Sequence, residues 1–227
     1  MEEAMKPNEK NTWQLAQPVL LNLFREEEER WRHDPTTVLP AFKRELLDAG
    51  FEFELLHQSL NYLPACIDVV LPIAVKYFCL STSINEKQYI RNWFSFRGCT
   101  LAVPPLLHEI EENMDKPSWC WELGDTLLRI RDESHAEEYL AIVKDKRYGI
   151  GRQNLVLLLG RIKYAPALPI LIELLNDQDA ALQAMTAISC FKSPDHIRYL
   201  EPFLSSHDPD YRKQAEKAIA RIRKAAK

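Results

Sequence analysis

Glycine is scarce in this chain of 227 residues, with 6 copies against 14 prolines. That scarcity works against β-hairpins, whose tight turns depend on residues that accept positive φ. The strict apolar and polar alternation of a half-buried strand is missing too, so no segment reads convincingly as one. A basic excess is also absent. The formal net charge is −4, which argues against general affinity for nucleic acid or anionic lipid, since lysine and arginine largely hold both. The opening MEEAMKPNEK is polar and acidic and lacks the basic region and apolar run of a secretory leader, which implies a cytosolic protein. The most apolar stretch, Leu63 to Leu80, is broken by Pro64, Asp68, Pro72 and Lys76, so a membrane span is not expected. Cys66, Cys79, Cys99, Cys120 and Cys190 show neither CxxC spacing nor a disulfide framework. They are expected as small apolar interior residues in a reducing compartment.

What is present is a repeat. A unit of about 30 residues recurs down the second half, a period typical of stacked helix pairs. Its best-matched copies are DQDAALQAMTAISCF (Asp177 to Phe191) and DPDYRKQAEKAIARI (Asp208 to Ile222). Aligning the copies puts Ile130, Ile162, Phe191 and Ile222 in register, then Leu123, Leu155, Ala184 and Ala215, then Thr126, Leu158, Ala187 and Ala218. Small residues at three- and four-residue spacing let neighbouring helices approach closely, while Leu168, Leu171, Leu174 and Leu175 fill space from the first helix of a pair.

Helical periodicity predicts segments at 13–31, 36–49, 52–63, 66–80, 86–97, 103–114, 119–131, 136–144, 150–162, 167–176, 180–191, 195–205 and 209–225. Asp34-Pro35, Ser193-Pro194 and Asp208-Pro209 each set an oxygen-bearing side chain before a proline, the signature of a capped helix start. The expected fold is therefore all-α, a right-handed α-solenoid forming a single domain over 1–227. Residues 103–225 are its regular repeats, and 1–100 are degenerate N-terminal helix pairs with a cap, since a terminal unit has one face in water.

The Asp-x-Asp turn followed by A-x-x-A resembles the short HEAT-like repeats also found in phycobilin lyases, over about residues 103–225. The stretch Lys144 to Asp177 resembles the central unit of bacterial HEAT-repeat proteins of uncharacterised function. That resemblance implies a binding module rather than a reaction.

Two places carry unusual chemistry. Lys144, Lys146, Arg147, Tyr148, Gly149, Gly151 and Arg152 surround a glycine-rich turn into a helix. There free N–H groups could meet a phosphate or carboxylate. The alternative is that the glycines only tighten a turn and Arg152 pairs with a turn aspartate of the next repeat. Trp119 and Trp121 straddle the start of a helix, and Trp93, Phe94 and Phe96 occupy the equivalent helix one repeat earlier. Residues two apart on a helix point differently, so one of Trp119 and Trp121 should be exposed. With Arg91, Arg97, Arg147 and Arg152 such a ring would form an interface strip. The alternative is that these rings fill gaps in the core.

Charge is segregated: Glu109 to Glu138 is acidic, whereas Lys144 to Lys163 and Arg212 to Lys227 are basic. The acidic run reads as a solvated face, and the last basic turn complements the helix dipole. No catalytic or metal-binding set emerges. HEAT-repeat iron hydroxylases use several His-Glu pairs, and only His108-Glu109 has that form here. His33, His57, His135, His196 and His207 have no ligand spacing. No cofactor is expected.

The sequence therefore points to a non-enzymatic scaffold that binds a partner protein through Trp119, Trp121, Arg147, Tyr148 and Arg152 on a concave face. The competing reading is a HEAT-like DNA-binding or DNA glycosylase protein using Trp119, Trp121, Asp125 and Arg152. Ligand or chromophore handling in the solenoid cavity is a third.

Overall fold

The computed structural model describes residues 18–63 and 65–225, which are helical with no strand among them. Residues 13–17 of the first expected helix, and Pro64, lie outside the described residues. None of the described helices is long and apolar enough to cross a membrane. The chain divides at Pro105 and Leu106 into two compact units.

Unit 1 contains α1 (Pro18–His33), α2 (Leu39–Asp48), α3 (Ile67–Leu80), α4 (Ile84–Ile90) and the start of α5 (Val103–Glu112), joined by 3-10 stretches at Leu56–Tyr62, Arg91–Trp93 and Thr100–Ala102. Its core is aromatic. Phe42 meets Tyr77 and Trp93 with ring centroids 5.4 and 5.2 Å apart, and Phe78 meets Phe94 at 5.4 Å. The indole Nε1 of Trp93 donates to Ser59 Oγ at 2.6 Å, so the one polar atom of a fully buried ring is satisfied. Trp93 and Phe94 thus fill the core, as one of the two sequence readings holds.

The expected helix at 52–63 is shorter and tighter than its periodicity suggests. Side chains compete there for the backbone groups a regular helix would use. Tyr62 Oη donates to Glu52 O at 2.5 Å, and Gln58 Oε1 accepts from the N–H groups of Glu54 and Leu55 at 2.9 and 3.0 Å. Glu28 reaches in from α1 to accept from the N–H of Leu56, and its other oxygen meets Lys43 Nζ at 2.5 Å. A buried carboxylate is tolerated because both of its oxygens are engaged.

His57 is the exception in this core. It is buried, its ring stacks on Phe24 at 4.0 Å, and neither ring nitrogen has a hydrogen-bond partner among the described residues. Burial pushes its pKa below 6.5, against the pull of Glu28 and with the push of Lys43. The unfolded chain therefore takes up a proton more readily than the folded one, so stability present above pH 6.5 falls as the pH drops below it. Replacing His57 with phenylalanine should flatten this acid limb of unit 1 in urea midpoints measured between pH 7 and about pH 5. An unchanged limb would assign it to other groups.

Unit 2 continues α5 and adds α6 (Pro117–Ile130), α7 (Ala136–Lys144), α8 (Gln153–Arg161), α9 (Leu168–Glu173), α10 (Ala181–Cys190), α11 (Ile197–Leu200) and α12 (Pro209–Ala225). The even-numbered helices pack in a row, α6 on α8, α8 on α10 and α10 on α12, while α7, α9 and α11 lie against α8, α10 and α12. Neighbours in the row run parallel. Trp121 and Gln153 touch at the starts of α6 and α8, and Cys190 and Arg221 touch toward the ends of α10 and α12. The odd-numbered helices are short and pass into 3-10 turns at Ala165–Ala167, Leu174–Asn176, Pro194–His196 and Glu201–Ser205, three of which contain proline, which breaks the α-helical ladder.

The aligned positions form the seam of this row. Leu123, Leu155, Ala184 and Ala215 are buried, as are Thr126, Leu158, Ala187 and Ala218. At Gly160 the approach is backbone to backbone, because a Cβ there would lie 2.4 Å from Ala187 Cα and 2.6 Å from its Cβ. Turn aspartates mark the helix pairs. Asp145, Asp177 and Asp208 each accept, through Oδ1, the N–H two residues ahead at 3.0, 3.0 and 2.8 Å. Asp34 does the same for Thr36 at 2.8 Å. Ser193 makes no such bond, so the expected cap there is carried by proline alone. Gly160→Ala should lower the stability of unit 2 by about 1–3 kcal/mol in thermal denaturation, the cost of forcing one extra methyl into a closed seam.

Candidate functional site

The sequence-predicted residues cluster where α6 meets the 3-10 stretch Lys146–Arg152, and the structure separates them by exposure. Trp119 is interior, with 4% of its surface exposed. Its Nε1 donates to Glu109 Oε1 at 3.1 Å, and Asn113 Nδ2 donates to the same oxygen at 3.1 Å. Half a turn of helix separates inside from outside here: Trp121 is 39% exposed. The expectation that the two rings differ in burial therefore holds.

The glycines answer to geometry. Gly149 takes φ 50 and ψ −129, which a side chain would resist. A Cβ on Gly151 would come within 2.7 Å of Cys120 Cβ, so this turn can close onto α6 only with glycine. Between Asp145 and Leu155 the chain carries three residues more than between Asp177 and Ala184 or Asp208 and Ala215, and this loop absorbs them. Cys120 beneath it is buried, its thiol pushed up to about 11, which keeps it protonated and unreactive.

Arg152 is 1% exposed. Its Nη2 bonds both oxygens of Asp177 at 2.9 and 2.8 Å, its Nη1 donates to Val143 O at 3.3 Å and its Nε to Gly149 O at 3.2 Å. It ties the end of α7 to the turn of the next helix pair, the pairing that the sequence offers as its alternative. Arg212 occupies the aligned position before α12's seam and donates to Ser206 O and His207 O at 2.7 and 3.0 Å. Tyr148 is 6% exposed, and burial pushes its phenol up. The five predicted residues therefore do not make one open strip: Trp119, Tyr148 and Arg152 are interior, and Trp121 and Arg147 face solvent. Periodicity could not tell a buried arginine from an exposed one, because the partner carboxylate lies a whole repeat away.

Arg147 folds onto Asp145, with Nη2 to Oδ2 at 2.5 Å and Nε to both oxygens at 3.0 Å. Those hydrogen bonds hold the Asp145 carboxyl down at about 2. Trp121 Nε1 donates to Gln153 Oε1 at 3.1 Å, Gln153 Nε2 donates to Asp179 O, and Asn154 Nδ2 donates to Trp121 O at 2.9 Å. The indole is thus held by a relay crossing the starts of α6, α8 and α10. Ile150, three residues before Gln153, is 40% exposed. The sequence reading passed over both Ile150 and Gln153, although an isoleucine between two glycines in a polar turn is itself a signal of exposure.

A cleft of about 300 Å³ opens beside the Arg152 and Asp177 pair, lined also by Lys144, Lys146, Ile170 and Glu173. Asp125, which the glycosylase reading would use, pairs with Arg129 at 2.9 Å. Among the described residues no group of three His, Cys, Asp or Glu side chains could hold a metal ion. Asp132, Ser134 and His135 gather at the start of α7, yet Asp132 Oδ2 at 2.6 Å and Ser134 Oγ at 3.0 Å both meet His135 Nδ1. A nucleophilic serine needs the second ring nitrogen. Asp132 also accepts the N–H of His135 at 3.2 Å, so the trio caps the helix.

No known family model matches this chain, nor does any curated protein or solved structure.

Removing the Arg152 guanidinium leaves Asp177 without its cation. Arg152→Ala should cost unit 2 about 3–5 kcal/mol in urea denaturation, and Arg152→Met less, because breaking a buried pair is worse than replacing part of it with apolar volume.

Proposed function

We propose that the chain is a helical-repeat module that binds a partner protein, with unit 2 a short α-solenoid of HEAT-like helix pairs. The parallel row of α6, α8, α10 and α12, with α7, α9 and α11 packed against α8, α10 and α12, supports the solenoid reading. The observation that carries the binding reading is the held, solvent-facing indole of Trp121. An exposed tryptophan locked in one orientation loses little freedom on association, which is how aromatic anchors contribute most at interfaces. Ile150 adds apolar area and Arg147 an exposed guanidinium already shaped by Asp145. Trp119, Tyr148 and Arg152 serve this surface from beneath, by fixing the turn that presents it.

The test is a variant carrying Trp121→Ala and Ile150→Ser. Proteins recovered specifically with the tagged wild-type chain should be lost from the variant, with affinity down at least about tenfold for each confirmed partner. The melting temperature should stay within a few degrees. Partners retained at full affinity by a folded variant would remove this surface from consideration.

A further inference from the structure

Toward the end of each helix of the packed row the same pattern recurs, an apolar residue followed by a cation: Arg129-Ile130-Arg131, Arg161-Ile162-Lys163, Cys190-Phe191-Lys192 and, in the last turn of α12, Arg221-Ile222-Arg223. The middle residue turns inward and is buried or half-buried, and the third is an exposed cation in all four. In α6, α8 and α10 that cation sits just past the seam in the left-handed region, with φ of 56, 54 and 60 for Arg131, Lys163 and Lys192. These are the positive-φ residues other than glycine among those described. Glycine or asparagine is the usual occupant of that position, because a Cβ is strained there. A cation near a helix end complements the carbonyls, but a lysine or arginine one turn earlier would do so without strain.

Because the helices run parallel, these ends lie side by side on one edge of unit 2. Arg131, Arg161, Lys163, Lys192 and Arg223 are exposed and form no ion pair among the described residues. Carboxylates lie nearby as well. Asp125 holds Arg129, Asp132 holds Ser134 and His135, and Glu137 meets the phenol of Tyr164. Glu133, Glu138 and Asp195 remain open to solvent. A carboxylate bonded to a hydroxyl keeps its charge, so Asp132, Glu133, Glu137 and Glu138 offset Arg131. From the end of α8 onward, Arg161, Lys163, Lys192, Arg198, Arg221 and Arg223 face Asp195, and that part of the edge is positive although the chain as a whole is not.

We propose that this edge binds an extended acidic segment of a partner protein, with one carboxylate for each helix end. Packed helices lie about 8–10 Å apart, and an extended chain advances about 3.3 Å per residue, so carboxylates three residues apart fall on successive ends. Duplex nucleic acid carries a charge roughly every 1.7 Å of its axis, far denser than this array, and the net charge of the chain opposes it. This surface lies at the opposite ends of the helices from Trp121, so the two sites stand or fall separately.

The probe is a fluorescein-labelled peptide of four Glu-Gly-Ser units, compared by anisotropy at low salt with a peptide of the same composition whose glutamates are contiguous. The spaced peptide should bind more tightly. The variant combining Arg131→Gly, Lys163→Gly and Lys192→Gly should lose about tenfold or more in affinity. Its melting temperature should hold or rise, because glycine relieves the backbone there. Trp121→Ala should bind the spaced peptide as the wild type does. Failure of the spaced peptide to bind, equal affinity for the two peptides, undiminished binding by the triple-glycine variant, or tighter binding to a duplex DNA of equal charge would each overturn the proposal.

Discussion

Close lateral contact between parallel helices is the constraint on which unit 2 depends. At Gly160 and Ala187 the backbones of α8 and α10 meet with no side chain between them. Contact that close fixes the azimuth of each helix, since only one face carries small enough residues. Once the azimuth is set, the inward and outward sides of every other position follow. Trp119 must point in and Trp121 out, and the residue after Ile130, Ile162 and Phe191 must stand past the helix end in solvent. The buried bond between Arg152 and Asp177 then fixes a second coordinate, the offset of one helix pair along the next.

The repeat was legible in the sequence because it is written in residue size. Ala184, Ala187, Ala215 and Ala218 recur at a spacing that only close helix packing uses, and all four are buried. The all-helical content follows from the same periodicity, and from the shortage of residues able to turn a hairpin. Unit 1 was harder to read. Its helices are held by aromatic contacts and by side chains such as Glu28 and Tyr62 that reach 28 and 10 residues along the chain for backbone groups. Such long-range capping leaves no periodic trace, which is why 52–63 becomes a 3-10 turn behind an extended lead.

The site was legible by location more than by residue. Lys144 to Arg152 is indeed the irregular part of the repeat, and its irregularity comes from the added residues and from Gly149. Which side chains emerge from it depends on pairing. Arg152 is consumed by a carboxylate one repeat away, whereas Arg147 is held by its neighbour Asp145 and stays in solvent. The cation past the ends of α6, α8 and α10 carries no periodic signal, because it flanks the apolar seam rather than belonging to it. Backbone conformation brings it out, since a lysine at positive φ is conspicuous in coordinates and ordinary in a sequence.

The lengthened loop before α8 also breaks the equivalence of the repeats. A partner lying along identical helix pairs could slip by one unit and find the same surface again, as a strand can slip in register. Only one pair bears the extra residues, and Ile150 protrudes from them. A ligand engaging that protrusion would have one frame in which to sit, so the departure from strict repetition gives an otherwise translational surface a fixed origin.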